Sequence, residues 1–495
     1  LFLFVRPPRP LWPFNGPGSA FWPPLAFASM AAMLRQHVPD LRVQILDAPA
    51  LEMGWRSLEA ELRRRNPAYI GIGEEAVSCL EGLRLARLAQ GLGARVIAGG
   101  CFFGHTAPEA LNTGVIDVVV HGEGEQTIVE LIHALRENSA DALVRVNGIS
   151  FRRDGETVAT KPRQPIANLD DLPMPAYDLL PVERYGASSR NHPGLASIEL
   201  GRGCFGCCDF CILWRQMGKF VGDRVVPHLR LKSVERLVEE IRVLKQRHGR
   251  RHLGWVDPCF NADPEIPRQL AERLLRENLA IGQSAWMRAD CIVRDARSGA
   301  LDASVGSGLN EVYIGVERAD TAGLKTVHKN SGIEEVRAAF DILLRDHPQV
   351  FTVGTFIYGL PGDTPADIRR LYRLSLELGM DKAFFIPLTP LPGTPFWNPQ
   401  LWDATGRRFR EFGFLPSLKR GERSALDWTL FLSFALDWNL NRIAGYARGI
   451  FSRDARKRRM TRRIFSRSTR FVTDGVISRL FRGGNGMVLP PWYES

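Results

Sequence analysis

The residues of this chain best suited to chemistry lie in the run Gly201-Arg-Gly-Cys-Phe-Gly-Cys-Cys-Asp-Phe-Cys211. Cys204, Cys208 and Cys211 stand at C-x3-C-x2-C spacing, which can wrap three thiolates around one 4Fe–4S cube. A closed electron-transfer cluster uses four such ligands. With three, one iron keeps an open position, so the centre can bind a small molecule as well as pass it an electron. Cys207 is a further thiol in the same run and could replace Cys208, giving C-x2-C-x3-C; the spacing leaves that choice open. A zinc site would need a fourth Cys or His at a second paired spacing, whereas Cys79, Cys101, Cys259 and Cys291 are scattered. Disulfides fit poorly, because four crowded cysteines cannot pair among themselves without strain. The chain also reads without a signal peptide, so a reducing cytoplasm is the expected location.

Such a loop needs a scaffold, and the sequence after it alternates short apolar runs with helical periodicity. Strands are expected at 195–200, 252–256, 284–288, 311–316, 351–358 and 383–387. Helices are expected at 234–248, 265–278, 332–346 and 365–378, with a poorer one after the third strand. This pattern predicts a parallel sheet rolled into a partial (β/α)6 barrel, with ligands at the carboxyl ends of the strands. Asp257, Arg288 and Glu317 fall at those ends. Each alone is equally well explained as a helix cap or a surface ion pair; as a set they point to a ligand site.

Upstream, runs at 1–6, 43–46, 69–72, 95–98 and 116–120 alternate with helical stretches at 25–36, 55–65, 79–92 and 125–135. That is a doubly wound, Rossmann-like α/β domain, which takes ligands at its switch point. Gly99-Gly100 and the turn Gly122-Glu123-Gly-Glu125 allow close backbone approach to a large ligand. A proline-rich stretch at 168–181 leads into the barrel along an extended path. The expected order is an α/β domain at 1–140, a linker at 141–190, the barrel at 191–400 and a basic, mainly helical region at 401–495. A chain of 495 residues is too long for one core and suits two α/β domains with a tail.

The cysteine spacing, with Phe210 before the last thiol, resembles the signature of radical S-adenosylmethionine (SAM) enzymes. The resemblance implies that the open iron chelates the amino and carboxylate groups of SAM, and that one-electron reduction yields a 5′-deoxyadenosyl radical. It places Asp257 near the SAM amino group, Arg288 at a carboxylate and Glu317 near the ribose or amino acid moiety. Gly315 would let backbone approach the adenosine, and the segment 356–364, with Tyr358, would line the adenine. The upstream domain, with Pro23-Pro24-Leu25 and the linker, is similar to the cobalamin-binding domain found in front of many such enzymes. Its turns at Gly99, Gly100, Gly122 and Glu123 would then face cobalamin. Members with Asp-x-His-x-x-Gly supply a histidine beneath cobalt; this chain has Asp47-Ala-Pro-Ala-Leu-Glu-Met-Gly54, so cobalamin is expected without a protein histidine ligand. His105 and His121 read as satisfied structural histidines, His105 near the pocket wall.

The resemblance implies a cobalamin-dependent radical SAM enzyme that methylates an unactivated carbon. The alternatives are a radical oxidative cyclase or hydroxylase like the anaerobic magnesium-protoporphyrin monomethyl ester cyclase, or a non-catalytic cobalamin or redox sensor. A small-molecule, lipid or tetrapyrrole substrate and a flavodoxin or ferredoxin reductant are the expected partners. Between Arg442 and Arg482, thirteen Lys and Arg against two acids leave a surplus equal to the +11 of the whole chain. Apolar Phe451, Ile464, Phe465 and Phe471 interleave with them, as on a helix lying against an anionic membrane, so peripheral contact at the inner membrane face through 442–482 is expected. A solvated helix pair explains the same composition. No nucleic-acid module accompanies it, and the stretch 428–443 is too broken by Asp437, Asn439 and Asn441 to span a bilayer.

Overall fold

The computed structural model describes residues 1–9, 22–73, 78–137, 139–187, 189, 192–398, 424–436, 440–462, 464–465, 490 and 492–495. The first sheet is built on β1 (Phe2–Arg6), a continuous apolar run whose five residues are all buried, as a central strand covered on both faces requires. It pairs in parallel with β2 (Val43–Asp47) on one side and β3 (Tyr69–Ile72) on the other, and β4 (Arg95–Ala98) and β5 (Val118–Val120) follow. The order β2-β1-β3-β4-β5 has its switch point between β1 and β3, and the crevice of such a sheet lies outside the carboxyl ends of the strands.

The segment read as a linker opens differently. β6 (Ile149–Arg153) and β7 (Glu156–Ala159) form an antiparallel hairpin that extends the first sheet beyond β5. Its turn is Asp154-Gly155, with φ of 51° and 86°, the left-handed pair that a tight hairpin favours. Beyond it the connection ties both domains together. Tyr177 donates to Glu240 of the helix Val234–Arg242, and Tyr185 donates to the buried Asp47 at 2.7 Å.

The second sheet begins at β8 (Leu195–Ile198). Next come short β9 (Gly201–Arg202), the hairpin β10 (Lys219–Val221) and β11 (Arg224–Val226), and β12 (Arg230–Leu231), which pairs with β9. The remaining parallel strands are β13 (His252–Trp255), β14 (Gly282–Met287), β15 (Leu309–Glu317), β16 (Phe351–Tyr358) and β17 (Lys382–Pro387). Their order, β8-β13-β14-β15-β16-β17, follows the chain, as right-handed crossovers in a partial barrel require. Leu253, Trp255, Ala285, Met287, Val312 and Ile314 face the helices and form the core with Leu237, Ile241, Leu270 and Leu274. Alternation along the strands puts His252, Gly254, Ser284, Trp286, Glu311, Tyr313 and Gly315 on the inner face.

The C-terminal region closes the molecule at three places. The helix Ser424–Leu436 buries Leu426 and Leu430, and its Asp427 accepts a hydrogen bond from Tyr358 at 2.5 Å. Met460 and Ile464 pack on Phe351, Val353, Tyr313 and Phe384, while Arg456 and Lys457 bond to Glu311, Asp381 and the Val350 carbonyl. Part of the basic stretch therefore docks on the barrel. The last residues return to the first domain, where Tyr493 donates to Glu81 and packs edge-on against Trp55. Residues 463 and 466–482 of the basic stretch lie outside the described residues. Among the described residues no helix is long and apolar enough to cross a membrane.

Candidate active site

The cysteine loop leaves β9 through Gly203, whose φ is +93° and whose place against the His228 carbonyl excludes any side chain: a Cβ there would stand 1.8 Å from that oxygen. The Gly206 amide then donates to Cys204 Sγ at 3.3 Å. A Cβ on Gly206 would lie 3.6 Å from Cys204 Sγ and 4.0 Å from Cys208 Sγ, so these two thiols converge on one side of the loop. Trp214 donates to the Cys208 carbonyl at 3.0 Å, and Asp209 bonds His328 at 2.6 Å, which fixes the loop to the segment after β15. Burial pushes the Cys208 thiol up to about 12, against the pull of Lys329 and Arg288. Burial raises Cys211 as well, and the backbone amides of Leu213 and Trp214 oppose it. A half-buried set of thiols on one loop, facing two buried cations, fits a cluster of several irons.

The strand-end residues take different parts. Asp257 is buried and accepts from the Leu200 and Gly201 amides at 2.9 and 2.7 Å, so it braces the turn that launches the cysteine loop; burial raises its carboxyl to about 7. Arg288 forms a two-point pair with Asp290 at 3.0 and 2.8 Å, donates to the Asn330 carbonyl and lies 4.8 Å over the ring of Phe205 in the cysteine loop. Glu317 closes β15 at a register shift with a left-handed φ of 64°. A non-glycine residue held there is strained, as ligand-binding positions often are. Its partner is Lys329, at 3.2 Å, which also donates to the Gly315 carbonyl at 2.6 Å. A Cβ on Gly315 would stand 2.3 Å from the Glu317 carboxylate and 2.6 Å from Lys329 Nζ, so a side chain there would displace this pair. The loops after β8, β14 and β15 thus meet around Cys208, whereas Tyr358 turns to the C-terminal helix and Asp427.

Ser197 Oγ, on β8 beside Gly254, is buried without a hydrogen-bond partner. Phe205, Val256 and Trp286 are 45%, 38% and 36% exposed around the same strand ends, an apolar rim on a polar floor. A separate cavity of about 530 Å3, lined by Arg318, Asp363, Gly362 and Phe396 among others, adjoins the ends of β15 and β16, and no cysteine lines it.

The glycine turns of the first domain face this site. Gly100 and Gly122 have φ of +83° and +65°, and a Cβ on Gly122 would meet nothing within 4 Å. Bare backbone in open space suits a bulky ligand. Glu123 is held by Arg230 at 2.6 and 3.0 Å, and Glu125 by Arg202 at 2.6 Å, all four side chains nearly buried. Glu123 therefore joins the two domains. Gln216, five residues after Cys211, bonds His105 at 2.9 Å and donates to the Gly122 carbonyl at 3.1 Å. His121 has both ring nitrogens occupied, by the Gly104 carbonyl and Ser150, each at 2.7 Å. Asp47 is taken up by Tyr185 and Arg6, and the loop after it presents no imidazole. Sequence reasoning passed over Lys329, Gln216, Arg202 and Arg230. Their residue types are ordinary, and only the fold brings them to the site.

The radical SAM superfamily model matches residues 198–375, and the B12 binding domain model matches residues 18–132. The chain is 28% identical over 379 residues to an uncharacterized methyltransferase of Pyrococcus horikoshii, covering 76% of this chain and 78% of that one. It is 27% identical over 401 residues to the anaerobic magnesium-protoporphyrin IX monomethyl ester cyclase of Rubrivivax gelatinosus, covering 79% and 68%. The solved radical SAM methyltransferase TsrM from Kitasatospora setae shares the fold, with a TM-score of 0.62 at 17% identity over 80% of this chain and 74% of that one. By these two domain matches the chain is an enzyme of the radical SAM superfamily that carries a B12-binding domain, and its cofactors are a 4Fe–4S cluster, SAM and cobalamin.

Proposed function

We propose that this enzyme methylates an unactivated carbon of an apolar small molecule. The observation that carries the reading is Gln216, which links the segment just after Cys211 to His105 and Gly122 and so turns the carboxyl ends of the two sheets toward each other. When bound, the cluster and SAM supply one-electron chemistry for removing a hydrogen atom, and cobalamin supplies a transferable methyl group. Cys204, Cys208 and Cys211 would hold the cluster. Arg288, Glu317 and Lys329 would orient the charged end of SAM, and the bare backbone at Gly99, Gly100 and Gly122 would admit cobalamin, with no protein histidine beneath the metal. Asp257 acts one step away, by fixing the turn from which the cysteine loop springs. The apolar rim of Phe205, Val256 and Trp286 excludes water from the reacting carbon and favours an apolar substrate.

Electrons are proposed to come from a flavodoxin or ferredoxin. Contact with an anionic membrane is proposed through the exposed side of the C-terminal helices, where Ile443 and Phe451 are 48% and 82% exposed near Arg453. Cosedimentation with anionic but not neutral vesicles would support that contact, and equal pelleting with both would remove it.

The test of the reaction is anaerobic reconstitution with iron, sulfide and hydroxocobalamin, then incubation with SAM and a strong reductant. Formation of both 5′-deoxyadenosine and S-adenosylhomocysteine supports methyl transfer. Deoxyadenosine alone refutes it in favour of a cyclase or hydroxylase, and neither product refutes the catalytic reading. Replacing Cys204, Cys208 or Cys211 by Ala is expected to abolish the cluster absorbance while Cys207→Ala keeps it.

A further inference from the structure

At the opposite end of the barrel the inner face starts with a second group of ligand-type side chains. His252 opens β13, Glu311 stands near the start of β15, and His192 precedes β8. One ligand atom from each lies within 4.8 Å of the other two, and among the described residues this is the one such trio. His252 and Glu311 are 1% and 3% exposed, and the His192 and His252 rings meet edge-on at 4.7 Å. Two imidazoles and a carboxylate, brought together from three separate elements, are a donor set that zinc takes with three protein ligands.

The surroundings hold these groups in place. His192 Nε2 lies 2.5 Å from Glu311 Oε2, Tyr313 donates to Glu311 Oε1 at 3.0 Å, and His252 Nε2 lies 3.2 Å from Ser284 Oγ. Arg456, from the C-terminal region, donates to Glu311 Oε2 at 2.9 Å and to the Asn310 carbonyl at 2.8 Å. Ligating carboxylates are commonly held by such outer hydrogen bonds. An ionised carboxylate offers about four lone-pair sites, so Glu311 can keep Tyr313 and Arg456 and still accept one cation.

We propose that His192, His252 and Glu311 form a divalent transition-metal site, with zinc the best fit, that ties the barrel floor to the segment before β8. The ion replaces the hydrogen bond between His192 Nε2 and Glu311 Oε2: the neutral His192 ring carries its one proton on Nδ1 instead of Nε2, three lone pairs are donated, and no oxidation state changes. Arg456 keeps its bond to Glu311, but its positive charge beside the same oxygen opposes the ion. The site lies at the far strand ends from the cysteines, so it stands or falls independently of the methyl-transfer reading.

The test uses the full chain with its cluster reconstituted, equilibrated with zinc chloride and dialysed. Zinc per chain is measured by mass spectrometry, and the zinc-edge X-ray absorption spectrum, blind to iron, reports the ligands. One zinc per chain with a nitrogen and oxygen shell is expected. Retention should fall at least about tenfold in His252→Ala and His192→Gln and rise in Arg456→Met. His192, with a side chain 22% exposed, serves if His252→Ala fails to fold. A sulfur shell, no retained zinc, or unchanged retention in both histidine variants would overturn the proposal and leave an ion-pair network.

Discussion

Substituting Gly203 by Ala is expected to cost this enzyme its cluster while leaving the three cysteines proposed to hold it in place. Two effects act at that residue. An L-residue in left-handed backbone costs about 1–2 kcal/mol, and Gly203 has a φ of +93°. A Cβ 1.8 Å from the His228 carbonyl also forces a backbone shift, for which overpacking data give about 1–3 kcal/mol. Together these reach about 2–5 kcal/mol, and since 1–2 kcal/mol is already a factor of about 5–30 in an equilibrium, most chains would hold the loop out of register. Gly222→Ala is the control, because that glycine sits in the same region at φ +59° with nothing within 4 Å of a Cβ, so only the conformational cost applies. The assay is iron and acid-labile sulfide per chain after anaerobic reconstitution, with urea denaturation of both variants in parallel. Gly222→Ala should load fully and Gly203→Ala poorly. If the two load equally and unfold at the same urea concentration, the steric argument for the loop's path is wrong.

Other perturbations probe the contacts around the site. Arg230→Met leaves the Glu123 carboxylate, 9% exposed, without its two-point partner and should destabilise the chain by about 3–5 kcal/mol in denaturant titration. A loss below about 1 kcal/mol would mean that the pair behaves as a surface ion pair. Lys329→Met strands the strained Glu317 beside Cys208 and should lower SAM retention on the reconstituted protein at least about tenfold; unchanged retention would remove both residues from the SAM site. Asp257 binds its proton more tightly when folded, near 7 rather than 3.8, so its contribution to stability is largest below pH 4 and declines up to pH 7. The slope approaches about 1.4 kcal/mol per pH unit within that window. Denaturation at several pH values should show that slope in the wild type and not in Asp257→Asn, and equal slopes would contradict the assignment.

The chain displays its secondary structure most openly where the strands run parallel in the interior of the two sheets. β1 is apolar up to Arg6, β3 is apolar but for one glycine, and the helices between strands carry a 3.6-residue stripe, so strand and helix patterns are hard to confuse. The hairpin β6–β7 was equally available from Asp154-Gly155, the strongest local hairpin signal, yet its flanking strands expose half their residues and read as linker. The strand ends were harder. Asp257 and Glu317 were visible as acids after apolar runs, but nothing local says that the first binds two backbone amides while the second bears on Lys329 across a glycine.

The sequence alone determined the three-thiol loop, the two α/β units and their order, because each follows from contacts within a few residues or one crossover. Tertiary structure decided everything that depends on pairs far apart in the chain. Arg230 finds Glu123 across 107 positions and Gln216 finds His105 across 111, and these pairs hold the cysteine-loop region against the glycine turns of the first domain. Arg456 finds Glu311 across 145, which lays part of the basic tail on the barrel floor. A side chain's type states which partners it can accept. Which of the many arginines or glutamates it meets is set by where the backbone of both domains closes, and no periodicity in the sequence encodes that distance.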